Sequence, residues 1–120
     1  MKRILLIIAF IVVMISTKAQ TPKFNQNLLL GTWVSADDKN SKKKFLKSSI
    51  VNYYNNEETD KGNYKITYEK DLKSYVITET VFDQGVYRYS LNALTPNTLK
   101  LTYLKRGNTL LYKRVKSGLK

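Results

Sequence analysis

The chain has 120 residues, with 21 lysines and arginines against 9 carboxylates, and it contains neither cysteine nor histidine. That composition excludes disulfide staples, thiol nucleophiles, thiolate metal sites and the lipidated cysteine of a bacterial lipoprotein, together with the usual histidine base and imidazole metal ligand. A formal net charge of +12 favours solubility and anionic partners.

In chain order, Lys2 and Arg3 precede an apolar run from Ile4 to Ile15, followed by Ser16, Thr17, Lys18 and Ala19. This is the layout of a secretory signal over residues 1–19, with cleavage after Ala19, and the run is shorter than the ~20 residues a spanning helix needs. The expectation is an exported product, periplasmic or secreted, with no stable membrane anchor. Losing Lys2, Arg3 and Lys18 lowers the charge by three, to +9. The rest suits one small domain, read as a lead-in over 20–30, a β-domain over 31–116 and a frayed tail over 117–120. Leu28, Leu29 and Leu30 in a row predict a short helical turn packed under a sheet within 24–30.

From Gly31 onward, short β-branched and aromatic runs alternate with turn clusters, the signature of an antiparallel sandwich or barrel. Strands are predicted near 32–36, 45–54, 64–68, 74–82, 86–94, 98–104 and 109–115, with turns or loops at 37–41, 55–62, 69–73, 83–85, 95–97 and 107–108. Connections this short predict an up-and-down meander. Lysines are scattered over turns and strand edges, with Lys42, Lys43 and Lys44 the one consecutive run, which reads as a solvated, edge-protecting surface.

Alternation assigns the faces. A three-residue loop at Asp83-Gln84-Gly85, with Gly85 left-handed, pairs Val81 with Tyr87, Glu79 with Tyr89 and Ile77 with Leu91. Tyr75, Ile77, Glu79, Val81, Tyr87, Tyr89 and Leu91 then share the inner face. A Thr95-Pro96-Asn97 loop sets Ala93 opposite Leu99, Leu91 opposite Leu101 and Tyr89 opposite Tyr103. A primed Gly107-Asn108 turn aligns Tyr103 with Tyr112 and Leu101 with Arg114. The alternative, a loop over 106–108, brings Leu111, Lys113 and Val115 inward instead.

Glu79 is the anomaly on this inner face, since the other eight carboxylates fall in predicted turns or loops. A buried carboxylate without partners costs several kcal/mol or takes up a proton. Tyr89, Tyr103 and Tyr112, at a similar level under these registers, offer hydroxyl partners. Three readings stay open: a polar anchor for a ligand, a self-satisfied core network, or a bulge that turns Glu79 outward.

Catalytic and metal signals are thin. Ser48 and Ser49 have no visible base, and the pairs Asp37-Asp38 and Glu57-Glu58 lie in polar turns, where nothing raises one carboxyl for acid catalysis. Asn56, Glu58 and Asp60 alternate before Gly62, yet the glycine is one place late for a calcium loop and Thr67 stands where its last Glu belongs. Inward tyrosines leave few exposed aromatics for nucleic acid. No enzyme activity, cofactor, metal or nucleic-acid partner is expected.

Gly31-Thr32-Trp33 at the first strand, a meander after it and Arg114 within Tyr112-Lys113-Arg114 on the last strand together resemble the lipocalin-like proteins of the calycin group, especially short exported bacterial forms. The resemblance implies a small closed barrel of seven to eight strands, with Trp33 plugging one end under Arg114. Its eighth strand would come from a bend at Ser48-Ser49 in the run 45–54. The chain departs from the family in being shorter and in lacking its disulfide. The expected function is a monomeric, exported binding protein holding a small, largely apolar ligand among Tyr75, Ile77, Glu79, Tyr89, Leu91, Leu101, Tyr103 and Tyr112. The rival is a solid barrel that binds a protein or anionic glycan through its basic surface or the 55–62 loop.

Overall fold

The computed structural model describes residues 23–116. The signal read over 1–19, the start of the lead-in at 20–22 and the tail over 117–120 lie outside them. Among the described residues no helix is long and apolar enough to cross a membrane.

Eight antiparallel strands follow one another around a closed barrel: β1 (Gly31–Ser35), β2 (Ser41–Phe45), β3 (Ser49–Tyr54), β4 (Glu57–Glu69), β5 (Ser74–Val81), β6 (Gly85–Leu94), β7 (Thr98–Tyr103) and β8 (Asn108–Arg114). β8 returns to pair with β1, placing Trp33 beside Arg114 and Val34 beside Lys113, so the sheet has no free edge. This all-β meander is compatible with a lipocalin-like fold.

The run 45–54 does break before Ser49, but after Phe45 it supplies only β3, and the extra strand comes from Phe45 and the residues before it. The lysine run is not a surface connection: Ser41–Phe45 forms β2, with Lys43 opposite Trp33 on one side and Asn52 on the other. The expected loop over 55–62 is a two-residue turn. Asn55 and Asn56 take φ 54° and 67°, the left-handed pair that a primed hairpin turn demands and that asparagine tolerates. Glu57 to Gly62 are therefore the first half of β4, and Glu57, Glu58, Asp60 and Glu69 are strand residues rather than loop carboxylates. Gly62 is buried where β4 and β5 press together: a Cβ there would lie 2.0 Å from the Thr80 carbonyl oxygen.

Face assignments hold except at Ala93, which a bulge turns opposite Lys100, while two registers move. In the β5–β6 hairpin the loop is Phe82-Asp83-Gln84, with Asp83 left-handed at φ 64°, Val81 opposite Gly85, Glu79 opposite Tyr87 and Ile77 opposite Tyr89. In the last hairpin the loop spans 104–107, closed by the Gly107 amide donating to the Tyr103 carbonyl at 2.7 Å. Tyr112 consequently pairs with Leu99, and Leu101 with Leu110. Both shifts are even-numbered, by two and by four residues, so every side chain keeps its side. Between β6 and β7 the pairs Tyr89–Tyr103 and Leu91–Leu101 form as expected, but a bulge at Asn92 replaces Ala93–Leu99 with Leu94–Leu99.

The barrel interior divides lengthwise. At one end Leu29, Trp33, Phe45, Ile50, Tyr64, Ile77, Leu99 and Leu101 pack into a solid core. The lead-in caps that end as a 3-10 turn, Gln26–Leu28, started by the Asn25 side chain accepting from the Asn27 amide. Its position is held by the Trp33 indole donating to the Leu29 carbonyl at 2.9 Å and by Gln26 donating to the Lys47 carbonyl and the Tyr64 hydroxyl. The Arg114 guanidinium stacks 4.2 Å from the centre of the Trp33 ring. Arg114 also donates to the carbonyls of Leu30, Leu28 and Pro96, tying the lead-in, the last strand and the β6–β7 loop together.

Candidate functional site

The opposite end of the barrel, where the β1–β2, β3–β4, β5–β6 and β7–β8 connections gather, opens into a cavity of about 450 Å³. Its depth is set by inward side chains of β2, β3, β4 and β5. Lys43 projects inward because Phe45, two residues on, occupies the core face, and alternation carries the lysine to the same side. Its Nζ donates to Glu79 Oε1 at 3.0 Å. Asn52, directly across from Lys43, donates through Nδ2 to Glu79 Oε2 at 3.0 Å and to Asp60 Oδ1 at 2.6 Å. Glu79 is thus held at both oxygens, and it is 1% exposed while Lys43 is 7% exposed.

This arrangement excludes the outward reading of Glu79. The acid is inward and buried, and its partners are a lysine and an asparagine rather than tyrosine hydroxyls. Removing one partner of a buried pair of opposite charges costs roughly 3–5 kcal/mol, because the other charge is left uncompensated.

Tyrosines form the cavity's other wall. Tyr87, Tyr89 and Tyr112 line it together with Val81, and Tyr53, Tyr54 and Gln84 stand around the rim. Lys43 Nζ lies 5.7 Å from the Tyr89 ring centre, and Tyr103 stacks beside Tyr89 and Tyr87 at 5.5 and 6.2 Å. Burial, with the charge of Glu79 second, raises the Tyr89 phenol well above its ordinary value and that of Tyr112 to about 12. Both phenols therefore stay protonated near neutrality, each able to donate one hydrogen bond and accept others.

The eight expected lining residues do not share one enclosure. Glu79, Tyr89 and Tyr112 line the mouth. Ile77 and Leu101 lie in the packed core. Tyr75 and Leu91 line a separate hollow of about 350 Å³ near the capped end, with Phe24, Leu28 and Leu94. Tyr103 flanks Tyr89 and faces an outer hollow with Val86, Arg88 and Lys105. Tyr89 and Tyr103 pair as expected, but Tyr112 lies opposite Leu99 rather than Tyr103 and Glu79 opposite Tyr87 rather than Tyr89, and strand tilt separates the rest.

Sequence reasoning missed Lys43, Asn52 and Asp60. Two signals pointed to them: an inward acid in a barrel requires an inward cation, and Ser41, Lys43 and Phe45 alternate in step with Ile50 and Asn52. Asn56 and Asp60, considered above as calcium ligands, instead accept from Lys42 Nζ at 2.9 Å and from Asn52. Among the described residues no group of three or more His, Cys, Asp or Glu side chains could hold a metal ion. Comparison with protein-family models, curated proteins and solved structures gives no match for this chain.

Proposed function

We propose that the protein is an exported, lipocalin-like binding protein that takes a small molecule into the open mouth of its barrel. The observation that carries this reading is the network in which the buried Lys43–Glu79 pair meets the half-buried Asn52 and Asp60 beneath a cavity of about 450 Å³. Small-molecule sites are of this kind, ~300–1,000 Å³ with a few fixed polar groups among larger side chains. Stability alone is served as well by apolar residues at such positions, so a polar floor under open space argues for recognition. The Gly31-Thr32-Trp33 stretch under Arg114 supports kinship with lipocalin-like proteins, and residues 1–19 support export. The polar floor moves the ligand away from the largely apolar molecule expected from sequence and toward one that carries polar groups.

Native mass spectrometry of protein purified from its own host, followed by extraction, tests the reading. A co-purifying small molecule is expected with the wild-type chain and is lost from Glu79→Ala.

A second reading, binding of an anionic glycan or protein at the outer surface, draws on Lys42 and Lys44. With Thr32, Tyr53 and Asn56 these two line an outer hollow of about 210 Å³. Reversing the charge of Lys44, which lines this hollow and not the mouth, abolishes binding on that reading only.

A further inference from the structure

Resting on the mouth as a binding site, we infer that its ligand is a neutral, hydroxyl-rich molecule of mono- to disaccharide size. Charge comes first. Two cationic and two anionic residues line the cavity, Lys42 and Lys43 against Asp60 and Glu79, so its wall carries no net charge. The deepest of these, Lys43 and Glu79, already neutralise one another at 3.0 Å. An anionic ligand that reaches Lys43 must also face Glu79 and Asp60, and a cationic one that reaches the carboxylates must face Lys43. Either leaves a poorly solvated charge opposite its own sign.

Hydrogen-bonding capacity points the same way. The Lys43 ammonium has three donors and spends one on Glu79. Asn52 spends both amide hydrogens on Glu79 and Asp60, which leaves its carbonyl oxygen as an acceptor. Asp60 keeps a second oxygen. Tyr89 and Tyr112 add neutral hydroxyls that both donate and accept, since their phenols stay protonated. Donors and acceptors therefore alternate over a short distance, which matches a molecule whose hydroxyls do both and leaves an apolar ligand with buried polar groups unpaired. The rings of Tyr87 and Tyr89, backed by Tyr103, offer aromatic surface for the C–H face of a sugar ring.

Saturation-transfer NMR with the mature chain tests this directly, using glucose, maltose and cellobiose, the charged analogues glucuronic acid and glucosamine, and dodecanoate. Binding of at least one neutral sugar is expected, about tenfold tighter than either charged analogue and weakened about tenfold by Tyr89→Phe, the loss of one hydrogen bond in a desolvated site. Asp60→Asn, which removes one negative charge and keeps the shape, shifts preference toward glucuronic acid. Tighter binding of a charged analogue, or of dodecanoate, to the wild-type chain overturns the neutral-polyol assignment while leaving the mouth as the site. If none of the six probes binds, the assignment falls; the mouth reading falls with it only if the host-purified protein also carries no small molecule.

Discussion

The two ends of this barrel are built on opposite physical terms. At the capped end, Trp33 and Leu29 are fully buried, the Arg114 guanidinium covers the indole, and it closes onto three backbone carbonyls from two different segments. At the mouth, the same inner face of the same strands carries Lys43, Asn52, Asp60 and Glu79 under open space. Dense apolar packing supplies stability, whereas a buried ionic network of this kind contributes little beyond what apolar residues of similar volume would. The contrast assigns stability to the capped end and, on the proposed reading, recognition to the mouth.

Mutations at the two ends separate these roles. Trp33→Ala is expected to be the most damaging single change, costing about 3–5 kcal/mol by chemical denaturation through loss of its buried area and the cavity left behind. Glu79→Leu alone strands the Lys43 ammonium and costs a similar ~3–5 kcal/mol. The double variant Lys43→Met/Glu79→Leu should recover most of that loss and still fail to hold the ligand. A double variant as unstable as the single one would show that the pair serves the fold rather than binding.

Gly62→Ala is expected to cost about 1–3 kcal/mol, because the added methyl meets the Thr80 backbone and the strands must part. Its effect spans both ends, since Gly62 pairs with Ile50 in the core and with Val81 at the mouth.

Alkaline pH gives a smaller, graded effect. The Tyr89 and Tyr112 phenols have raised values in the folded chain, and that of Tyr64 is raised by burial. A group with a raised folded value contributes its stability fully below its unfolded value, near pH 10, and that contribution is lost as pH climbs toward the folded one. Stability should therefore be insensitive to these phenols up to about pH 10 and decline above it. Ultraviolet titration should show part of the tyrosine absorbance change delayed to higher pH, and Tyr89→Phe should remove a share of the delayed fraction. Reversing Lys44, which lines the outer hollow and not the mouth, should change stability least, within about 0.5 kcal/mol.

Much of this architecture was legible because it depends on local alternation. Ile77, Glu79, Tyr89, Leu91 and Leu101 were assigned to the inner face from spacing alone, and that assignment survived hairpins two and four residues away from the predicted registers. Register itself depends on loop backbone geometry, such as Asp83 rather than Gly85 in the tight left-handed position, and on how far each strand must slide to close the barrel. The Asn55-Asn56 turn carried a readable signal, two asparagines able to take positive φ, yet the polar residues after it resembled a loop. Lys43 carried none on its own, because three consecutive lysines read as surface until an acid 36 residues away claims the middle one.

By itself, then, the sequence determined an all-β meander and the inner-face position of Ile77, Glu79, Tyr89, Leu91 and Leu101, since these follow from period-two patterning, while the stack of Arg114 on Trp33 was implied only by the resemblance to lipocalin-like proteins. Only the tertiary structure decided that the interior is packed at one end and open at the other, and that Lys43, Asn52 and Asp60 meet Glu79 in the open half. Those outcomes depend on closure of β1 against β8 and on strand tilt, which bring together positions that no local pattern relates.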